Sequence, residues 1–173
     1  ETYVAVSLCL DDGTELREAW QKWFQIERSV FGLMLMEEWT EPQASLLSDA
    51  EKQMELIEKL HNLGAEVLMS SHLYKFAPAE RVLQIALEQK RRGADIIKIV
   101  TAADTMEQQI ENLRITNLLK QELGAPFLFL SGGVSTIHRR LGMKLGCCMS
   151  LCVYEHDALS TASQPLLSTM KKI

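Results

Sequence analysis

Arg92-Gly-Ala-Asp-Ile-Ile-Lys-Ile-Val100 closes a helical pattern on glycine and begins a strand within the same few residues, and the chain repeats the device. Leu63-Gly64-Ala65 leads into Glu66-Val-Leu-Met-Ser-Ser-His72, and Leu123-Gly124-Ala125 leads into Pro126-Phe-Leu-Phe-Leu130. Each glycine stands where a helix ends in the left-handed conformation, and each following run is short, apolar and bounded like a buried strand. A period of roughly thirty residues with helix and strand alternating is the pattern of βα units built on a parallel sheet.

Working outward, Ser48-Asp-Ala-Glu51 reads as a capping box ahead of Met54, Ile57, Leu60 and Leu63 at helical spacing. Pro78 precedes Val82, Ile85 and Ala86, and Thr105 precedes Ile110, Leu113 and Leu118. Strands are expected near 3–10, 31–37, 66–71, 95–101, 126–131 and 146–153, with a closing helix from Pro165 to Ile173. That gives about six βα units, whereas a closed (β/α)8 barrel has eight and some 250 residues. Polar residues at the C-terminal strand ends favour the barrel over an open sheet, because barrel active sites form there. The expected fold is therefore α/β, of (β/α)8 TIM-barrel type and incomplete, as a single domain over residues 1–173. The chain opens with Glu1 rather than Met, so its N-terminal portion is expected to be truncated or divergent.

Composition fits a cytoplasmic α/β enzyme: 173 residues, 47% hydrophobic and 24% charged, enough for one core. A net charge of −5 gives no basis for nucleic acid or an anionic membrane surface, and no apolar run approaches the roughly twenty residues of a membrane span. Cys9, Cys147, Cys148 and Cys152 lie in strand-like runs, which argues for packed thiols over disulfides or a metal site. Exposed sheet edges in an incomplete barrel would allow a homodimer.

Lys98, with Ile on both sides, is costly unless its amine has work to do. Burial favours the neutral form, and a neutral amine adds to carbonyl carbon. His72, one strand away, could move protons for the adduct. Taken singly, each residue has an ordinary structural reading: a capped histidine at a strand end, a lysine reaching solvent, a solvated Arg139-Arg140 helix face, a polar loop from Ser160 to Gln164.

The set, in order, resembles the type I 3-dehydroquinate dehydratases. The resemblance rests on Ser-Ser-His72 with Pro78 following, Asp95-Ile-Ile-Lys98-Ile, Arg139-Arg140-Leu141-Gly142 and Ser160-Thr-Ala-Ser-Gln164, and covers about residue 64 to the C-terminus. It implies His72 as general acid/base, Lys98 as the Schiff-base lysine, Arg140 as the ligand of the substrate carboxylate, and Ser160 and Gln164 as lid residues. The implied reaction is syn elimination of water from 3-dehydroquinate, a small-molecule substrate, to 3-dehydroshikimate. It needs no metal or organic cofactor, since the iminium is the electron sink.

The departures fall in the first third. Where the family carries Glu-Trp-Arg and Thr-Phe-Arg strand ends, this chain offers Glu38-Trp39-Thr40 and Ser7-Leu8-Cys9, without the arginines. Glu38 is the candidate substrate contact there, and residues 31–39 fit the second or the fourth barrel strand. Two other readings remain. Gly132-Gly133-Val-Ser resembles phosphate-holding turns of phosphosugar-type class I aldolases. An inactive barrel fragment serving as a ligand-binding or interaction module is the non-enzyme alternative.

Overall fold

The computed structural model describes residues 4–8, 29–36, 50–134, 136–157 and 160–172. In chain order the elements are β1 (Val4–Leu8), β2 (Ser29–Met36), α1 (Ala50–Asn62), β3 (Glu66–His72), α2 (Ala79–Arg91), β4 (Ile96–Ala103), α3 (Met106–Glu122), β5 (Phe127–Gly133), α4 (Ile137–Leu145) and the single turn α5 (Leu167–Met170). The glycine device works as its spacing predicts. Gly64, Gly93 and Gly124 take φ values of 78°, 101° and 60°, and each turns a helix end directly into a strand.

The five strands form one parallel sheet in the order β1-β2-β3-β4-β5. Every strand lies beside its sequence neighbour, with no reversal. A doubly wound sheet changes direction at a switch point, whereas a barrel adds strands sequentially around an arc. The order is therefore that of a (β/α) barrel wall, as expected. β2 lies directly against β3, with Met36 paired to His72. Next along, Ser70 pairs with Lys98 and His72 with Val100. β4 and β5 run in register from Ile97↔Phe127 to Ala103↔Gly133.

The main core lies between β4, β5 and the helices α2 and α3, with Ile97, Ile99, Val82, Ile115, Leu119 and Phe129 among its buried members. A second cluster joins Ile57 and Leu60 of α1 to Val67 and Met69 of β3. Burying each such aliphatic side chain contributes about 1.5–3 kcal/mol, which is what holds the helices to the sheet. Among the described residues, no helix is long and apolar enough to cross a membrane.

Several expectations change. Residues 146–153 do not form a strand: Gly146 ends α4, Cys148 N–H donates to the Phe127 carbonyl at 2.8 Å, and only Val153 bridges, to Leu166. The run is apolar enough for a strand, but that one bond to β5 is not followed by a ladder. Cys147 is buried, Cys148 exposed and Cys152 half-buried, all as free thiols. The C-terminal helix shrinks to α5. Leu63, just past α1, is 51% exposed, and the buried face of α1 uses Gln53 beside Ile57 and Leu60. On α3 the predicted stripe is misplaced: Ile110 is 60% exposed, and the buried face runs through Gln109, Asn112, Ile115, Thr116 and Leu119. Ser48 of the capping box, Glu38, Thr40 and Cys9 lie outside the described residues.

Candidate active site

Alternation along the strands sorts the polar residues at their C-terminal ends. Ser71 points to the helical layer, where Gln89 of α2 donates to its Oγ at 2.8 Å. Ser70 and His72 therefore point to the opposite side, with Lys98 and Val100 of β4 beside them. A cavity of about 370 Å³ opens there, lined by His72, Tyr74, Lys98, Thr101, Arg139 and Gln164 among others. Residues from β3, β4, α4 and the loop before α5 thus meet at one strand end.

Three basic groups border this cavity, and no carboxylate is among its lining residues. Burial pushes the Lys98 amine below its ordinary value, and the nearby Arg139 guanidinium pushes it the same way. His72 falls to about 4, first through burial and then through the charges of Lys98 and Arg139, so its imidazole is neutral at physiological pH. Its Nε2 lies 3.0 Å from Ser70 Oγ, which steadies the ring. An amine held towards its neutral form and a neutral imidazole on adjacent strands are a nucleophile and a proton acceptor. The positive field around them suits an anionic ligand.

The arginine in the cavity is Arg139, not the expected Arg140. Arg139 is half-buried and its Nε donates to the Ser131 carbonyl at the end of β5 at 2.9 Å. Arg140 is exposed and borders an adjoining recess with Thr136, His156 and Arg139 itself. Arg139 borders both spaces, whereas Arg140, about 100° further round the helix, borders the recess alone, so the expected register was off by one.

The loop residues also sort themselves. Gln164 lines the cavity, together with Thr161 and Ser163. Ser160 does not: its Oγ accepts from Asp157 N–H at 2.8 Å and donates to the Asp157 carbonyl at 3.0 Å, closing a local turn. Gln164 Oε1 accepts from Thr161 N–H at 2.8 Å, so it too is engaged within its own loop. Glu38 lies outside the described residues.

Sequence reasoning gave no site role to Tyr74 or Arg139. Tyr74 adopts φ 51°, an uncommon conformation for a bulky side chain, and sets its ring edge-on to His72 with centroids 5.6 Å apart. An aromatic two residues after a strand-end histidine was the available signal. Gly133 has a packing reason of its own. A Cβ there would lie 2.9 Å from the Ala103 carbonyl oxygen and 2.7 Å from Asp104 Oδ1 at φ 72°, so the glycine turn supplies no argument for a phosphosugar.

Comparison with known proteins bears on the family and the fold. Residues 44–173 match the family described as type I 3-dehydroquinase. The 3-dehydroquinate dehydratase of Geobacillus thermodenitrificans is 29% identical over 97 residues, 55% of this chain and 38% of that protein. That of Alkaliphilus oremlandii is 31% identical over 90 residues, 51% of this chain and 35% of that protein. The chain thus aligns with little more than a third of the length of these curated relatives. The fold is that of the solved 3-dehydroquinate dehydratase of Geobacillus kaustophilus, with a TM-score of 0.76 at 17% identity over 97% of this chain and 65% of that one. The Clostridium difficile type I enzyme, solved with covalently modified comenic acid, gives 0.73 at 17% identity over 92% of this chain and 58% of that one. With the family model matching well over half of its residues, this chain belongs to the type I 3-dehydroquinase family.

Proposed function

We propose that the chain carries the covalent centre of a 3-dehydroquinate dehydratase-like lyase. The observation that carries this reading is the convergence of Lys98, His72 and Arg139 on one cavity, with Lys98 and His72 both held towards their neutral forms. Neutral Lys98 adds to the ketone of 3-dehydroquinate, and loss of water gives an iminium. The positive nitrogen acidifies the neighbouring C–H, and His72 takes that proton onto its free ring nitrogen. The resulting enamine expels the hydroxyl, which leaves as water with the proton His72 returns. Hydrolysis of the product iminium then frees 3-dehydroshikimate and regenerates the amine. Arg139 meets the substrate carboxylate with a planar fork of N–H donors while Ser131 holds its Nε. Gln164 closes over the bound ring by exchanging its bond to Thr161 for one to the ligand, and Ser160 acts by shaping the turn that carries it.

The test is reductive trapping. Borohydride added with 3-dehydroquinate is expected to leave one stable mass adduct, on Lys98, and none in Lys98→Arg, whose guanidinium stays protonated. An adduct on Lys75 or Lys144, or none at all, rejects the reading. In His72→Ala the imine still forms while proton transfer slows by about 10²–10⁴-fold, so trapped adduct accumulates as turnover falls.

A further inference from the structure

Beside the reactive cavity, a smaller recess of about 170 Å³ lies between α4 and the loop that leads into α5. Thr136, at the N-cap of α4, and Arg139 and Arg140 of the helix border it from one side. His156, Ser163, Gln164 and Thr169 border it from the other side. No carboxylate is among its lining residues.

Arg140 stands apart from every other arginine of the described residues. Arg81, Arg91, Arg92, Arg114 and Arg139 each donate a hydrogen bond to a carboxylate, an amide or a carbonyl. Arg140 makes no hydrogen bond or ion pair among the described residues, although it borders a recess rich in polar groups. Thr136, at the start of α4, does not spend its hydroxyl on capping the helix. Two guanidinium groups, that of Arg140 without an anion, two threonine hydroxyls and an imidazole therefore border one small space.

We propose that the Thr136, Arg140, His156 and Thr169 recess binds a tetrahedral oxyanion, a phosphate either free or as the ester group of a small molecule. Shape favours phosphate over carboxylate. A carboxylate is planar and is satisfied by one fork, whereas the donors bordering this recess come from α4 and from the chain around α5, an arrangement suited to a tetrahedral anion. The glycine turn after β5 plays no part, since Gly133 is set by its packing against Ala103. Arg139, Ser163 and Gln164 border both spaces, so an occupied recess ties the loop before α5 to α4 beside the cavity. The inference stands independently of the reaction proposed above.

Calorimetric titration with inorganic phosphate, at ionic strength held constant with chloride, tests it on the whole chain. One saturable site is expected, weakened more than tenfold in Arg140→Gln and several-fold in Thr136→Val. Lys98→Ala is the discriminating variant, because Lys98 borders the cavity and not the recess: phosphate affinity there should match the unmodified protein. Loss of binding in Lys98→Ala with retention in Arg140→Gln would put the anion in the cavity and overturn the proposal. So would the absence of saturable binding, or equal affinity with and without Arg140. A parallel titration with glycerol phosphate separates the two sources. Tighter binding of the ester assigns the site to a phosphorylated small molecule, and equal or weaker binding assigns it to free phosphate. Circular dichroism verifies that Arg140→Gln, a change at an exposed position, keeps the fold.

Discussion

Arg139 acts on two neighbours at once. Its charge helps hold both Lys98 and His72 in their neutral forms, and its Nε–H is fixed on Ser131. In Arg139→Gln the amine loses a positive neighbour, so its pKa rises and the ascending limb of kcat/KM against pH moves to higher pH. The move is partial, because burial is the larger of the two causes and remains. KM should rise as well, since the carboxylate loses its fork. In Arg140→Gln the limb should stay where it is, as that side chain does not border Lys98. A pH–rate series on the two variants is the measurement, and an unmoved limb in Arg139→Gln would show that its charge does not tune the lysine. These residues also mark how far the site could be read in advance. His72 and Lys98 were legible because a polar group inside an apolar strand is anomalous on its face. Arg139 was not, because two adjacent arginines at a helix start look alike until the helix phase is known.

At the scale of elements, α3 shows where periodicity misleads. Its apolar residues are spread around the helix, and the buried face carries Gln109, Asn112 and Thr116 because the strand ends beneath it are polar. Asn112, fully buried, donates from Nδ2 to Ser131 Oγ at 2.9 Å and to Thr101 Oγ1 at 3.5 Å, joining the ends of β4 and β5. Ser131 in turn offers its carbonyl to Arg139. In Asn112→Ala two buried hydroxyls lose their donor, a loss worth about 1–3 kcal/mol. The urea midpoint should fall accordingly, and KM should change more than kcat because the disturbance reaches Arg139 and not Lys98. Unchanged stability would show that water replaces the amide at no cost. By contrast α2 was legible from Pro78 onward because Val82, Ile85 and Ala86 are all buried as their spacing predicts, with Gln89 the one polar member of the buried face, held by Ser71. The expected strand at 146–153 failed for a different reason. Apolar content gives a segment the means to be buried, but a strand also needs a partner for its backbone groups.

For the whole molecule, the sequential sheet was legible from one repeated device, the helix-ending glycine followed at once by a strand, because a buried parallel sheet leaves few other sequences open to a βα unit. The same burial makes stability depend on pH. His138, 1% exposed, lies edge-on to Phe129 and 2.8 Å through Nε2 from Thr116 Oγ1. The Thr116 hydroxyl donates to the Asn112 carbonyl at 2.8 Å, so Nε2 must carry the imidazole hydrogen, leaving Nδ1 buried without a partner. Burial, assisted by Arg139, lowers this histidine from 6.5 to about 4. A group depressed on folding contributes stability that is whole above its unfolded value and is lost as pH falls towards the folded one, here between 6.5 and about 4. The loss between pH 7 and 5 comes to about 2 kcal/mol. His72 adds to it in the same window, discounted because it is only half-buried. Glu88, held near 2 by Arg91 and Arg92, titrates below this range and cannot account for it. Urea unfolding at the two pH values is the check, with His138→Gln as the comparison. The variant should start less stable at pH 7 and lose markedly less on going to pH 5; an equal loss in both proteins would move the acid sensitivity elsewhere.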